Sequence, residues 1–348
     1  MRDMKNLDLL RSVAVTLVVV DHTLRSKGHE LWRGWLIVDV GLFGVYVFFL
    51  HTSLVLMGSL ERRPNTLDFY IRRVFRIYPL AVVAILIAAV THAPVAGTPL
   101  RYFHTVAVNR KAMFFNLLLV FDLNPAQQPI HGVTWSLPPE LYMYVLLPAL
   151  FVYARAVKKV WPLLAIWVLV VCCDNHFFPD RNVGNNFPIL VPDFLAGVIA
   201  YVGFLRRRAV LPAWTLPPLL AVLFVGYMFH HEIRADWIAC LVLALALPSI
   251  RELETDWLAR LFRTVARYSY GVYLFHPFSI VLGMYLLAGR PLALQLAVEL
   301  VSLAVFAFVG YHMVEAPLIQ LGARIAARLA GEQGLPSAQS LETLEPAP

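Results

Sequence analysis

Two ionisable side chains stand within the first apolar run of this 348-residue chain, Arg11 at its foot and His22 near its top. On an α-helix a spacing of eleven residues returns to within about 20° of the same face, with roughly 16 Å between the two along the axis. Asp8 lies about 60° around from Arg11. A helix here therefore carries an acid, a guanidinium and an imidazole on one stripe. Charges inside a membrane span are costly unless paired or hydrated, which makes them functional candidates. Histidine takes and returns a proton near neutral pH without a large pKa shift, so His22 is the candidate general base and Arg11 its companion. The plainer reading has Arg11 reaching for lipid headgroups and His22 capped against a neighbouring helix.

Three further groups could join them. The segment Thr134-Trp135-Ser136-Leu137-Pro138-Pro139-Glu140, followed by Tyr142 and Tyr144, opens a later apolar run. Its two prolines are expected to break the hydrogen-bond ladder and free carbonyls where protein or water can meet them. Glu140 is expected at a depth similar to His22, as a candidate catalytic partner, with Trp135 and Ser136 beside it as substrate-binding candidates. A helix-start glutamate that merely offsets the dipole is the alternative. In Phe69–Pro79, Arg72, Arg73 and Arg76 alternate with aromatic residues and end on Tyr78. Guanidinium forks suit phosphates and stack on rings, although topology signalling alone would also produce such a run. Finally, His276 precedes the helix-kinking Pro277, Glu315-Ala316-Pro317 follows the last long run, and Asp193 is an intramembrane acid needing a partner.

The elements that must position these groups follow from composition. Apolar residues make up 59% of the chain and charged ones only 15%, against roughly 25% charged in a soluble domain. Apolar runs of the length needed to cross a bilayer fall at 10–26, 36–60, 78–93, 133–153, 160–173, 187–204, 214–230, 235–250, 268–288 and 292–313. The stretch 112–123 is short for a span and reads as re-entrant or interfacial. If it does not cross, 20 of the 29 basic residues lie on the side of the N-terminus; if it crosses, only 11 do. The positive-inside rule therefore favours ten spans with both termini cytoplasmic. The expected fold is an all-α polytopic membrane helical bundle of about ten transmembrane helices plus that short helix, in an inner or plasma membrane. Residues 1–330 form one membrane domain, and 331–348 a disordered cytoplasmic tail rich in Gly, Pro, Ser and Glu.

The same features narrow the function. The N-terminus resembles a secretion signal, but no small-residue cleavage site follows it. The net charge of +7 sits in short loops that meet anionic lipid rather than nucleic acid. Cys172, Cys173 and Cys240 offer neither a disulfide framework nor metal spacing, so no metal is expected.

Taken in order, these segments resemble the acyltransferase-3 family of membrane acyltransferases. The resemblance rests on Leu7-Asp8-Leu9-Leu10-Arg11 with His22, on Arg76-Ile77-Tyr78-Pro79, and on Trp135-Ser136-Leu137 with Glu140. Phe194-Leu195-Ala196-Gly197, Ser269-Tyr270-Gly271-Val272-Tyr273-Leu274 with His276, and Glu315-Ala316-Pro317 complete it. It covers about residues 5–325. It implies a ten-span bundle that moves an acyl group from cytosolic acyl-CoA, acetyl-CoA above all, to a hydroxyl. That hydroxyl belongs to a carbohydrate or glycolipid acceptor such as an envelope polysaccharide. His22 would then be the catalytic histidine, Arg11 its companion, and Arg72, Arg73, Arg76 and Tyr78 the contacts for CoA. The second span departs from the family: Tyr46 stands where an acid is usual, and His51 and Thr52 add polarity. Tyr46, His51, Asp193 and His276 are accordingly counted with the substrate-binding candidates.

Direct transfer, with His22 as base, Arg11 steadying the CoA end or the developing charge and Glu140 orienting His22 or the sugar, is the leading mechanism, an acyl-histidine intermediate its variant. The rivals are a proton-coupled transporter using His22 and Glu140 as a relay, and a non-catalytic scaffold. The arginine run speaks against the transporter, which needs no phosphate cradle.

Overall fold

The computed structural model describes residues 4–29, 31–32, 35–36, 38–91, 108–124, 127–177, 187–206, 209–230 and 235–332. They form a helical bundle: α1 (Lys5–Ser26), α2 (Val38–Arg62), α3 (Thr66–Thr91), α4 (Arg110–Leu117), α5 (Leu137–Val157), α6 (Val160–Phe177), α7 (Phe187–Phe204), α8 (Leu216–His230), α9 (Ala235–Ala246), α10 (Asp256–Ile280), α11 (Leu292–Gly310) and α12 (Ala316–Glu332). The described β-structure consists of one two-residue antiparallel pair, β1 (Leu31–Trp32) with β2 (Trp35–Leu36), and an isolated bridge between Leu211 and Ile250. α12 runs to Glu332, and the rest of the expected tail lies outside the described residues.

Among the described residues, seven helical stretches are long and apolar enough to cross a membrane. They contain α2, α3, α5, α6, α7, α8 and, as one unit, α11 with α12. The other three expected spans correspond to α1, α9 and α10. α1 carries Asp8, Arg11, Asp21 and Arg25, α9 has only 12 residues, and the apolar half of α10 is diluted by Tyr, Ser and His. The 112–123 stretch forms the eight-residue α4 and a short 3-10 turn, Phe121–Leu123. Eight residues rise only about 12 Å, far less than a bilayer core.

One local prediction changes. A 3-10 turn, Gly132–Ser136, precedes α5, and Pro138 and Pro139 occupy the first turn of that helix. Proline is favoured there because the missing N–H would have no intrahelical partner. The prolines therefore start the helix rather than break it. α10 and α11 end in π-helical turns, Val281–Tyr285 and Tyr311–Glu315, a rare geometry that recurs at functional sites.

α2 is the central post: α1 and α7 pack along it, α10 lies on the other side of α1, and α12 lies on α3. Helices in a bilayer gain little from the hydrophobic effect against one another, so close backbone approach matters more. Gly44 provides it between α2 and α1, where a Cβ would stand 2.5 Å from the carbonyl oxygen of Ala14. Gly197 does the same between α7 and α2, where a Cβ would collide with Ser53 Oγ and the Leu50 carbonyl. Ser53 Oγ donates to the carbonyl of Phe194 at 2.7 Å in the same contact.

Gly197→Ala is therefore expected to force α7 off α2 and destabilise the protein by about 1–3 kcal/mol. Gly226→Ala in α8 meets nothing within 4 Å and should be neutral or slightly stabilising, since alanine is the better helix former. Thermal unfolding of the two variants in detergent checks this opposition of sign.

Candidate active site

The α1 stripe faces α10 through polar contacts. Arg11 Nε donates to Ser269 Oγ at 2.5 Å, and the guanidinium carbon lies 5.5 Å from the centroid of the Phe48 ring. Eleven residues along, His22 Nδ1 is 3.0 Å from the Val18 carbonyl and 3.1 Å from His276 Nε2. The two imidazoles lie 4.8 Å apart at an interplanar angle of 39°. His276 is fully buried, whereas His22 keeps 16% of its side-chain surface accessible. Asp21 Oδ2 stands 3.8 Å from His22 Nδ1 and 3.6 Å from Arg25 Nη1.

Beneath the histidines, toward the start of α1, lies a partly enclosed cavity. Its charged and polar lining includes Arg11, His51, Arg73, Arg76, Glu140 and Tyr273. Glu140, from the first turn of α5, accepts a hydrogen bond from Tyr144. Arg76 pairs with the buried Glu315, which the second π-helical turn brings against α3. Arg73 Nε and His51 Nδ1 are buried with no hydrogen-bond partner among the described residues. Unmet buried donors and acceptors are expensive, so both are suited to a ligand. Tyr273 OH donates to the Val133 carbonyl at 2.5 Å and lies 2.7 Å from Ser136 Oγ, tying α10 to the turn before α5. His131 supports the same junction: it is buried, its Nε2 is 2.7 Å from the Leu274 carbonyl, and its ring stacks on Phe278.

The cavity shares Arg11, His51, Val55 and Arg76 with a more open mouth at the α1 N-terminal end. That mouth adds Arg62, Arg263 and Arg267, together with Asp8 and Tyr311. Five guanidinium groups thus face one opening. At its other end the cavity reaches Val15, Val18, Val45 and Leu137. Val18 is one turn, about 6 Å, short of His22.

Of the residues singled out from sequence, the cavity gathers Arg11, Arg73, Arg76, Glu140, Ser136 and His51, and His22 meets His276 above it. The expected pairing of Glu140 with His22 is not the arrangement found: Glu140 bonds Tyr144, and the partner of His22 on another helix is His276. Arg72 stands outside the cavity, where its Nε makes two 2.9 Å bonds to the Asp68 carboxylate. Tyr78 OH donates to the Leu118 carbonyl beside α4. Trp135 packs against the apolar core. Tyr46 and Asp193 are buried away from the cavity, Tyr46 6.0 Å in T-shaped contact with Tyr227 of α8. Sequence reading missed the ligand potential of Arg62, Arg263 and Arg267 because they were absorbed into the count of topology-setting charges. Ser269 and Tyr273 carry no signal in the sequence beyond their place in the 269–274 motif.

A family model described as an acyltransferase domain matches residues 4–311. The chain is also similar to Nodulation protein 10 of Rhizobium leguminosarum bv. viciae, at 25% identity over 93% of this chain and 95% of that protein. No solved structure gives a significant match. The matched region takes in α1 to α11, with the two histidines, the cavity and the arginine mouth, and the chain belongs to the acyltransferase-3 family of membrane acyltransferases.

Proposed function

We propose that the protein transfers an acetyl or other short acyl group from cytosolic acyl-CoA to a hydroxyl of a carbohydrate or glycolipid, such as an envelope polysaccharide. The observation that carries this reading is the continuity of the arginine mouth with a cavity that ends one helical turn below His22. CoA presents a diphosphate and a further phosphate at one end and the thioester at the other. The phosphates would meet Arg62, Arg263 and Arg267 in bidentate and charge-assisted contacts. The pantetheine arm would run past Arg11, His51 and Arg73 toward Val18. In this reading both termini are cytoplasmic, in an inner or plasma membrane, and the acceptor reaches His22 from the opposite side. The excess of basic residues on the N-terminal side supports this orientation.

The chemistry needs one base. His22 takes the proton of the acceptor hydroxyl as its oxygen attacks the thioester carbonyl carbon. The tetrahedral intermediate collapses with loss of the C–S bond, and His22 returns the proton to the thiolate sulfur. The products are an O-acyl ester and CoA thiol. Positioning supplies much of the acceleration because a thioester is already activated. Arg11 steadies the donor from the cavity wall, while Arg73 Nε and His51 Nδ1 gain the partners they lack.

Two outcomes follow. His22→Ala should lower kcat for acyl transfer from radiolabelled acetyl-CoA by about 10²–10⁴-fold, with binding of acetyl-CoA retained in a filter assay. Full transfer by this variant would remove the base assignment. The double variant Arg263→Ala/Arg267→Ala should raise the KM for acyl-CoA by about 10- to 100-fold, the loss of one or two charge-assisted hydrogen bonds, at nearly unchanged kcat. Arg72→Ala should leave that KM unchanged, since Arg72 is already bound to Asp68. Reversal of this ranking would relocate the phosphate site to the α3 surface.

A further inference from the structure

The contacts between the two histidines fix where their protons sit. His276 Nδ1 is 2.8 Å from the Tyr273 carbonyl and 3.3 Å from that of Val272. A carbonyl oxygen only accepts, so His276 Nδ1 carries its proton, and in the neutral ring Nε2 is then an acceptor. That acceptor is 3.1 Å from His22 Nδ1, which is also 3.0 Å from the carbonyl of Val18. Both neighbours of His22 Nδ1 are therefore acceptors. Placing the proton of His22 on Nε2 would set lone pairs against each other at both contacts. Reversing His276 would do the same against Tyr273. With both rings neutral, one assignment satisfies every contact: Nδ1–H on each, a His276 Nε2 acceptor, and a lone pair on His22 Nε2.

We propose that His276 is the positioning residue of this active site, holding His22 as the Nδ1–H tautomer so that His22 Nε2 is the atom that takes the acceptor's proton. This rests on the reading of His22 as the base. The role is that of the carboxylate behind a catalytic histidine, here taken by a neutral imidazole. Asp21 does not take it, because its carboxylate is 3.8 Å from Nδ1, beyond hydrogen-bonding distance. The Val18 carbonyl belongs to the same helix as His22 and holds the ring against its own backbone. His276, from α10, ties the ring across the helix interface. When His22 becomes an imidazolium, its Nδ1–H donates more strongly to His276 Nε2. No net proton leaves the pair, since the Nδ1 protons stay in place while Nε2 gains and returns one. His276 itself is fully buried and stands one turn above Tyr273 of the cavity wall, so it acts through His22.

The test pairs kinetics with a tautomer measurement on full-length protein in bilayers. His276→Leu removes the acceptor, and His276→Gln restores one near the position of Nε2. The expected result is a fall in kcat of about 10-fold or more for the Leu variant, at unchanged KM for acetyl-CoA, with substantial recovery in the Gln variant. In ¹⁵N spectra of histidine-labelled protein, the His22 signals, assigned by their loss in His22→Ala, should report Nδ1–H in the wild type and a tautomer mixture in His276→Leu. Wild-type kcat in His276→Leu, or a wild-type His22 signal that is Nε2–H, would overturn the proposal. A folded Gln variant that recovers no activity while His22 stays Nδ1–H also overturns it, because His276 would then serve the fold alone. Full transfer by His22→Ala would instead sink the base assignment, and the ¹⁵N spectra would still report separately on the tautomer.

Discussion

A guanidinium cannot be left bare inside an apolar bundle, and Arg11 sets the terms on which the surrounding helices meet. Its Nε takes the Ser269 hydroxyl of α10, and its face lies near Phe48 of α2. The same cavity holds Arg73 and Arg76 from α3 and Glu140 from α5, and Arg76 reaches Glu315 of the π-helical turn before α12. Three guanidinium groups thus share two carboxylates across four elements. In a medium where helices gain little by hiding apolar surface from one another, such contacts fix rotation and register. The same sum leaves a surplus of positive charge facing the cavity. A bundle that must balance that charge is already shaped for an anion.

Much of this was legible in the residues. The apolar runs located the helices, and the eleven-residue spacing placed Arg11 and His22 on one stripe because 3.6-residue periodicity is a property of the backbone alone. Rotation about each helix axis relative to its neighbours was not legible. Depth matched Glu140 to His22, but the 3-10 turn before α5 and the bond from Tyr144 set Glu140 against the arginines instead. Arg72 and Arg73 are neighbours in sequence yet about 100° apart on the helix. That angle sends one to the cavity and the other to Asp68, its i−4 neighbour, a pair of the kind that forms on any helix face. The mouth arginines were hidden for another reason. A basic residue that orients a span and one that binds phosphate look alike until three distant segments, at 62, 76 and 263–267, are seen around one opening.

The two π-helical turns explain a further gap between sequence and site. One residue more than an α-turn holds shifts the face presented by everything that follows it. At Tyr311–Glu315 this turn carries both a mouth residue, Tyr311, and the carboxylate that meets Arg76. A strict 3.6-residue reading of α11 through α12 would put the two helices on a single continuous stripe.

The apolar end of the cavity at Val15, Val18, Val45 and Leu137 has a consequence for the membrane as an insulator. A base reachable from both faces through water would be a proton wire, and an energised bilayer would discharge through it. Valine and leucine side chains at that end offer water no hydrogen-bond partners, and proton hopping requires a hydrogen-bonded chain. On the proposed reaction, a slender acyl arm would press between them where a column of water gains nothing by entering. Transfer by that route would bring an acyl group toward His22 while the ion gradient stays where it is.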